Sequence, residues 1–435
     1  AAFEQLPWAI ALAVRYWMRT KGRDPLLFTP ALVFALDWVW PKYFPHTMGD
    51  AFYSRTWFAQ AADLASVFGL TFLVVASNEA IAAAILRRPG WKNKIGVAIG
   101  LVAFVSAYGA WRLDQVRERM EHPLSRTRFV LVQPNTNATE IVRVAPDRVS
   151  AKENLLSEIL HLSNEAMPLK PDFIFWPETA YPDTFFGETS SETVSTRERL
   201  SGWFENANTQ VAPKKLHLLF GARDQVGRGR YNSLLMMSET SRDGQRLAYH
   251  KSKLLLGAEH FPFSDWFIEI AEFVRSNGGT AFLTGQGPLV WDSLNGVRIG
   301  PMICVEGLYP RYVRDIANLG ADVLVNATND AWFGWPGEPD LHSELTNFRS
   351  IETRRPMVRA TNTGYSVVTD IDGSVKVKTN IGQTSVAAYD VPIYNQAETR
   401  TLFLILGDIW LLLAIVFIGV HALRAASKKP SKSHI

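Results

Sequence analysis

The chain holds a single cysteine, Cys304, inside the stretch ICVEGLYP. A lone thiol excludes an intramolecular disulfide and a cysteine-rich metal site. Two roles remain: an inert buried side chain, or a nucleophile that attacks as the thiolate. Three short segments bear on the choice. Trp176-Pro177-Glu178 closes an apolar run with a carboxylate, and Tyr249-His250-Lys251 places an ammonium ahead of Glu259. Cys304-Val305-Glu306 adds an acid two positions after the sulfur. In an extended strand that spacing puts both side chains on one face. A solitary Glu or Lys is ordinarily a solvated charge. A thiol, a carboxylate and an ammonium together are the parts of thiol-based acyl transfer.

These groups need strands to hold them. From Arg128 onward the pattern alternates between strands and helices. RFVLVQ (128–133), DFIFWPE (172–178), LHLLFGA (216–222), VRIGPMICVE (297–306), ADVLVNATN (321–329) and MVRATN (357–362) read as strands. Residues 148–165 and 341–354 carry helical spacing. Asn295-Gly296 and Asp372-Gly373 mark tight hairpins. Strands each followed by a helix or hairpin predict a layered α/β domain.

Hydrophobic residues make up 47% of the 435 positions, an ordinary share, but they are segregated toward the two ends. The stretch 402–423 is long enough to cross about 30 Å of hydrocarbon. Runs at 95–111 and 58–86 are also apolar enough, the second interrupted by Asp63, Asn78 and Glu79. Weaker segments lie near 6–18 and 26–40. Arg19, Lys21 and Arg23, then Arg87, Arg88, Lys92 and Lys94, then the basic C-terminal tail, fall on one side if five spans are counted. Basic loops stay in the cytoplasm. The expected organisation is therefore about four transmembrane helices in 1–125, a catalytic domain in 126–400 on the outer face, the periplasm in a bacterium, and a last helix with a cytoplasmic tail in 401–435. Ala1 is not an initiator methionine, which leaves room for N-terminal truncation with earlier spans missing. The net charge of +3 is too small to argue for nucleic acid.

The order Glu, Lys, Cys, each at a strand end, resembles the nitrilase superfamily of carbon–nitrogen hydrolases. The motifs FWPETAYP (175–182), YHKSKLLLGAEHFPF (249–263), ICVEGLYP (303–310), NATNDAWFG (326–334) and ETRRPMVRATNTGYS (352–366) are closer to its apolipoprotein N-acyltransferase branch. ADLASVFGLTFLV (62–74) resembles the last helices before that family's catalytic domain. The resemblance implies an α-β-β-α sandwich joined to membrane helices. It implies a catalytic triad of Glu178, Lys251 and Cys304, supporting acids at Glu259 and Glu306, and no cofactor. Trp176, Val305, Trp332 and Phe333 are the expected substrate-pocket residues. The sequence departs from the family at Val305, where an aromatic is usual, at Leu256-Gly257-Ala258 in place of Pro-Phe-Gly, and at His250 in place of Asn or Asp.

On this reading Glu178 takes the thiol proton. Lys251 lowers the thiol pKa and supports the oxyanion, and Glu259 and Glu306 hold Lys251 charged and aimed. A phospholipid acylates Cys304, and the amine of a diacylglyceryl-cysteine apolipoprotein takes the acyl group at the face of the lipid bilayer. Transfer to an amine needs water excluded; Phe261, Phe263, Trp266, Phe267, Trp332, Phe333 and Trp335 are expected either to provide apolar cover or to pack as core. The rivals are a tethered amidase with water as acceptor, an inactive scaffold and a Cys–His protease. No HxxxH or cysteine cluster suggests a metal, and His342 is expected at the surface.

Overall fold

The computed structural model describes residues 2–42, 44–187, 191–239, 247–261, 263–276, 281–332 and 337–427. The chain divides into two compact units. One comprises residues 119–350 and 354–399; the other comprises 1–118, 351–353 and 400–435.

The first of these is the α/β unit. Apolar runs at 129–132, 173–176 and 218–220 cannot lie at a surface, and they form neighbouring buried strands. The strands are β1 (Ser125–Gln133), β2 (Phe173–Phe175), β3 (His217–Val226), β4 (Gly229–Met237), β5 (Ala248–His250) and β12 (Ser385–Ile393). They build a sheet in the order β12-β1-β2-β3-β4-β5. β1, β2 and β3 run parallel, linked through α6 (Ala138–Val144), α7 (Arg148–Ala166) and α8 (Ser191–Val211). Val130, Ile174, Leu218 and Phe220 pack against Leu156, Ile159, Leu200 and Phe204 of those helices.

The second sheet repeats the design. β6 (Trp291–Asp292), β7 (Arg298–Ile303), β8 (Val323–Thr328), β9 (Met357–Thr361), β10 (Val367–Thr369) and β11 (Val375–Lys378) stand in the order β11-β10-β9-β8-β7-β6. β7, β8 and β9 are parallel. They are joined by α10 (Pro310–Asn318) and α11 (Gly337–Thr353). Ile316 of α10 lies against Gly300 of β7, and Thr369 of β10 donates to Asn347 of α11 at 2.6 Å. Gly296 and Gly373 take positive φ in the two expected hairpins. The sheets meet between the helix layers: Gln133 Oε1 of the first accepts from the backbone N–H and the hydroxyl of Ser366 in the second. The result is an α-β-β-α sandwich.

The other unit is helical: α1 (Ala2–Thr20), α2 (Phe28–Val39), α3 (Thr56–Ala59), α4 (Ala62–Ile85), α5 (Trp91–Met120), α12 (Leu402–Leu406) and α13 (Ile409–Ala426). Among the described residues, three helices are long and apolar enough to cross a membrane: α4, α5 and α13. Ile85, Phe104, Leu412 and Val416 leave large apolar surfaces uncovered, as lipid contact requires. The other two expected spans, α1 and α2, do not meet that length and composition. α2 has 12 residues, about 18 Å at 1.5 Å each. α1 carries Glu4, Arg15 and Arg19. The single helix expected at 402–423 is broken at Gly407 (φ 47°), where Asp408 accepts from the Trp38 indole at 3.0 Å. Asp63 and Glu79, which interrupt the 58–86 run, are paired within this unit. Asp63 accepts from Tyr108 and Arg112, and Glu79 pairs with Arg15 and Lys94.

Candidate active site

The ends of β2, β5 and β7 deliver the three reactive groups to one cavity of about 340 Å³. Glu178 stands just past β2. Its position depends on Gly221 of β3, where a Cβ would lie 2.4 Å from the Pro177 carbonyl oxygen and 2.5 Å from Glu178 Cα. Only glycine lets the two backbones pass so closely. Glu178 Oε1 accepts from Asn232 at 2.7 Å and from Lys251 at 3.2 Å, and Oε2 accepts the Asn329 backbone N–H at 2.8 Å.

Lys251 follows β5 and is fully buried. Its Nζ donates to Glu259 Oε1 at 2.8 Å as well as to Glu178. Burial works against the ammonium, but the carboxylates of Glu178 and Glu259 override it and hold its pKa well above the ordinary value. Asn232 of β4 spans the two acids, also donating to Glu259 Oε1 at 3.1 Å. One lysine and one amide thus bind both carboxylates.

Cys304 opens a tight 3-10 turn, Cys304–Leu308, at the end of β7. Its φ of 54° is left-handed backbone, uncommon for a residue with a side chain. Asn326 of β8 holds the turn by donating to the Cys304 carbonyl at 3.0 Å. Burial pushes the thiol well up, Glu178 adds to the push, and Lys251 only partly opposes it. Lys251 thus lowers the thiol as expected, but burial outweighs it. Such a site can act through a base that removes the proton as the sulfur attacks.

Comparison with known proteins shows the family. Residues 131–401 match the carbon-nitrogen hydrolase family model. An apolipoprotein N-acyltransferase of Bdellovibrio bacteriovorus is 30% identical over 98% of this chain and 82% of its own length. The chain belongs to the apolipoprotein N-acyltransferase family of carbon–nitrogen hydrolases. A Caulobacter vibrioides member is 27% identical over 100% of this chain and 79% of its own. Among solved structures, an amidase from Nesterenkonia sp. superposes with a TM-score of 0.44 at 18% identity, covering 62% of this chain and 91% of that one.

Several expected site residues of this N-acyltransferase family member lie elsewhere. Glu306 does not share a strand face with Cys304, because the chain turns at the sulfur. Nor does it hold Lys251. Its oxygens accept from Tyr249 Oη at 2.5 Å and from the backbone N–H groups of Ser252, Lys253 and Ile303. Trp176 is core: strand alternation turns it with Ile174 toward α7 and α8, where its indole donates to Ser163 at 2.9 Å. Val305 is buried in the turn and does not line the cavity. Phe263, Trp266 and Phe267 are exposed, so they are neither core nor cavity wall, and Phe261 is half-buried. Phe333, Trp335 and the Trp332 side chain lie outside the described residues. His250 pairs with Asp224 at 2.7 Å and stacks on Tyr231.

His342, expected at the surface, is buried on α11. Its Nδ1 lies 3.1 Å from Asp330, which Arg359 also binds. A helix face turned to a sheet buries it. Asn232 escaped sequence reading, although two-residue alternation along β4 could have placed it beside the lysine strand.

Proposed function

We propose that this chain moves a fatty acyl group from a phospholipid to the α-amine of a diacylglyceryl-cysteine at an apolipoprotein N-terminus. Glu178, Lys251 and Cys304 carry the chemistry. The reading rests on one observation: Lys251 Nζ lies 2.8 Å from Glu259 and 3.2 Å from Glu178 in the cavity that also admits Cys304.

Glu178 takes the thiol proton as Cys304 Sγ bonds to the acyl carbonyl carbon. Lys251, held charged by two acids, donates to the oxyanion. The intermediate collapses to a thioester, and the lysophospholipid oxygen leaves with the proton from Glu178. The acceptor amine then attacks the thioester carbon, and Glu178 takes a proton from the nitrogen and passes it to the departing sulfur, which leaves as the thiol. Asn232 and Glu259 position the lysine and the base. Leu255, Ala258, Ala281 and Phe282 give the cavity apolar wall suited to an acyl chain. Exposed Phe263, Trp266 and Phe267 supply apolar surface in the same stretch of chain, suited to a lipid face.

The basic clusters at 19–23, 87–94 and the C-terminus support an inner-membrane protein with the α/β unit on the periplasmic side. The functional test uses phospholipid labelled in its acyl chain. Label should appear on the protein as a hydroxylamine-sensitive thioester, be absent in Cys304→Ala, and chase onto a diacylglyceryl-cysteine peptide. Label released only as free fatty acid would make the chain a hydrolase. Full transfer by Cys304→Ala would end the proposal.

A further inference from the structure

Besides the acids, the thiol and Lys251, three guanidiniums line the cavity: Arg223, Arg230 and Arg275. Their convergence follows from the fold. In the β3–β4 hairpin Arg223 is opposite Asn232, and Gln225 is opposite Arg230. Side chains two apart on a strand share a face, as do directly paired residues. Arg223, Arg230 and Asn232 therefore look into the same space, and Asn232 is the residue that binds Glu178. Arg275 joins them from the last turn of α9 (Ile268–Ser276).

The Arg223 and Arg275 guanidiniums hold backbone carbonyls rather than carboxylates. Arg223 donates to the Pro182 carbonyl at 3.0 Å, and Arg275 donates to the carbonyls of Ala281 at 3.0 Å and Arg228 at 3.5 Å. Among the described residues no carboxylate forms an ion pair with any of the three. The neighbouring acids Glu269 and Glu272 are taken by Arg228, and Asp183 pairs with Lys152. Burial lowers the pKa of Arg223 and of Arg275; Asp183 opposes this at Arg223 and Glu272 at Arg275, while the charge of Arg230 lowers both further. Lys251 takes Glu178 and Glu259, two acids against one cation, so with three further guanidiniums on the wall the cations outnumber the acids four to two; such a space favours an added anion, and guanidiniums match phosphate oxygens in shape and charge. The remaining wall, Leu255, Ala258, Ala281 and Phe282, is apolar. The cavity thus offers a place for hydrocarbon and a place for an anion, with the sulfur between reactive groups in the same space.

We propose that Arg223, Arg230 and Arg275 form a subsite for the phosphodiester of the acyl donor, selecting phosphate-bearing esters over neutral ones. This rests on the acyl-thioester reading and extends it. The acceptor brings an amine and no phosphate, so the subsite acts in the first half-reaction. The departing lysophospholipid carries its phosphate away, clearing the cations before the amine enters.

The test compares single-turnover acylation of Cys304 in the full-length protein by phosphatidylglycerol, by diacylglycerol and by p-nitrophenyl palmitate. Proteins are the wild type, Arg230→Gln, Arg275→Gln and the double variant. Arg223 is left intact because it is bound into the hairpin. The wild type should prefer phosphatidylglycerol to diacylglycerol, and the double variant should lose about ten- to a hundredfold of that ratio. Inorganic phosphate should compete with phosphatidylglycerol in the wild type and not in the double variant. An unchanged lipid ratio overturns the subsite, including the case where only the competition by inorganic phosphate disappears, which marks a site for the free ion. Wild-type protein acylated by none of the three donors would sink the acyl-thioester reading and the subsite with it. Acylation by p-nitrophenyl palmitate with no phosphate preference would sink the subsite alone.

Discussion

Glu306 accepts a 2.5 Å hydrogen bond from the Tyr249 hydroxyl, which ties the turn carrying the sulfur to the strand carrying the lysine. The same carboxylate accepts the Ser252 and Lys253 N–H groups at 2.6 and 3.0 Å. Glu306→Gln turns an acceptor into a partial donor against buried donors. The expected cost is about 2–3 kcal/mol, read as a lower denaturation midpoint, with slower acylation. Glu306 bonds to neither Lys251 nor the sulfur, so the pH profile of acylation should keep its shape. A displaced profile would show a direct role in proton transfer.

The titration of Cys304 gives a prediction of opposite signs for two reactions. Burial, then Glu178, push the thiol up, and Lys251 pulls it down. Glu178→Gln removes one upward push and also removes the base. Alkylation of Cys304 by iodoacetamide at neutral pH should quicken, while acyl-enzyme formation falls roughly 10²–10⁴-fold. If both rates drop together, Glu178 is not what keeps the thiol protonated.

Glu338, at the start of α11, is raised from 4.5 to about 7, chiefly by burial and then by repulsion from Asp330. It lies 3.8 Å from His342. An acid with a raised folded pKa binds more protons folded than unfolded between the two values. Its contribution to stability is full below about 4.5 and is lost as the pH climbs through about 7. Partial exposure keeps the effect modest. Between pH 5 and 7 the melting temperature in detergent should decline, and Glu338→Gln should flatten the decline. Identical slopes in both proteins would rule this group out.

At residue 221 a methyl group has no room. Gly221→Ala drives a carbon into the Pro177 carbonyl and Glu178 Cα. Overpacking of this kind costs about 1–3 kcal/mol, and relief by shifting Glu178 would slow acylation further. Thermal unfolding and labelled acyl-enzyme formation measure the two effects. A variant with normal stability and rate would show that β3 can yield at that point.

The sequence made the α/β layers legible because their strands are short apolar runs bounded by glycine turns and polar ends. The three reactive residues were legible for a related reason: each closes such a run. What escaped depends on backbone detail that spacing does not encode. The left-handed φ at Cys304 swings Glu306 away from the sulfur and toward Tyr249. Trp176 reads as a pocket aromatic beside Glu178, yet alternation turns it into the helix-facing core. Asn232 and the arginines of β3 and β4 gain meaning only from the register of a hairpin whose partner sites come from other strands. The break at Gly407 hides inside a stretch in which Asp408 is the one acidic group, where composition alone favours one helix.

The acids at the centre also serve as fasteners. Glu178 leaves one sheet and accepts the Asn329 N–H just past β8 of the other; Glu306 leaves the second sheet and accepts from Tyr249 and Ser252 of the first. A copy whose halves have not yet closed lacks a base beside its thiol and a clamped cation beside its base. On the proposed mechanism, the three groups that would open a lipid ester meet only in the finished sandwich, and a half-assembled molecule would leave the surrounding lipid untouched.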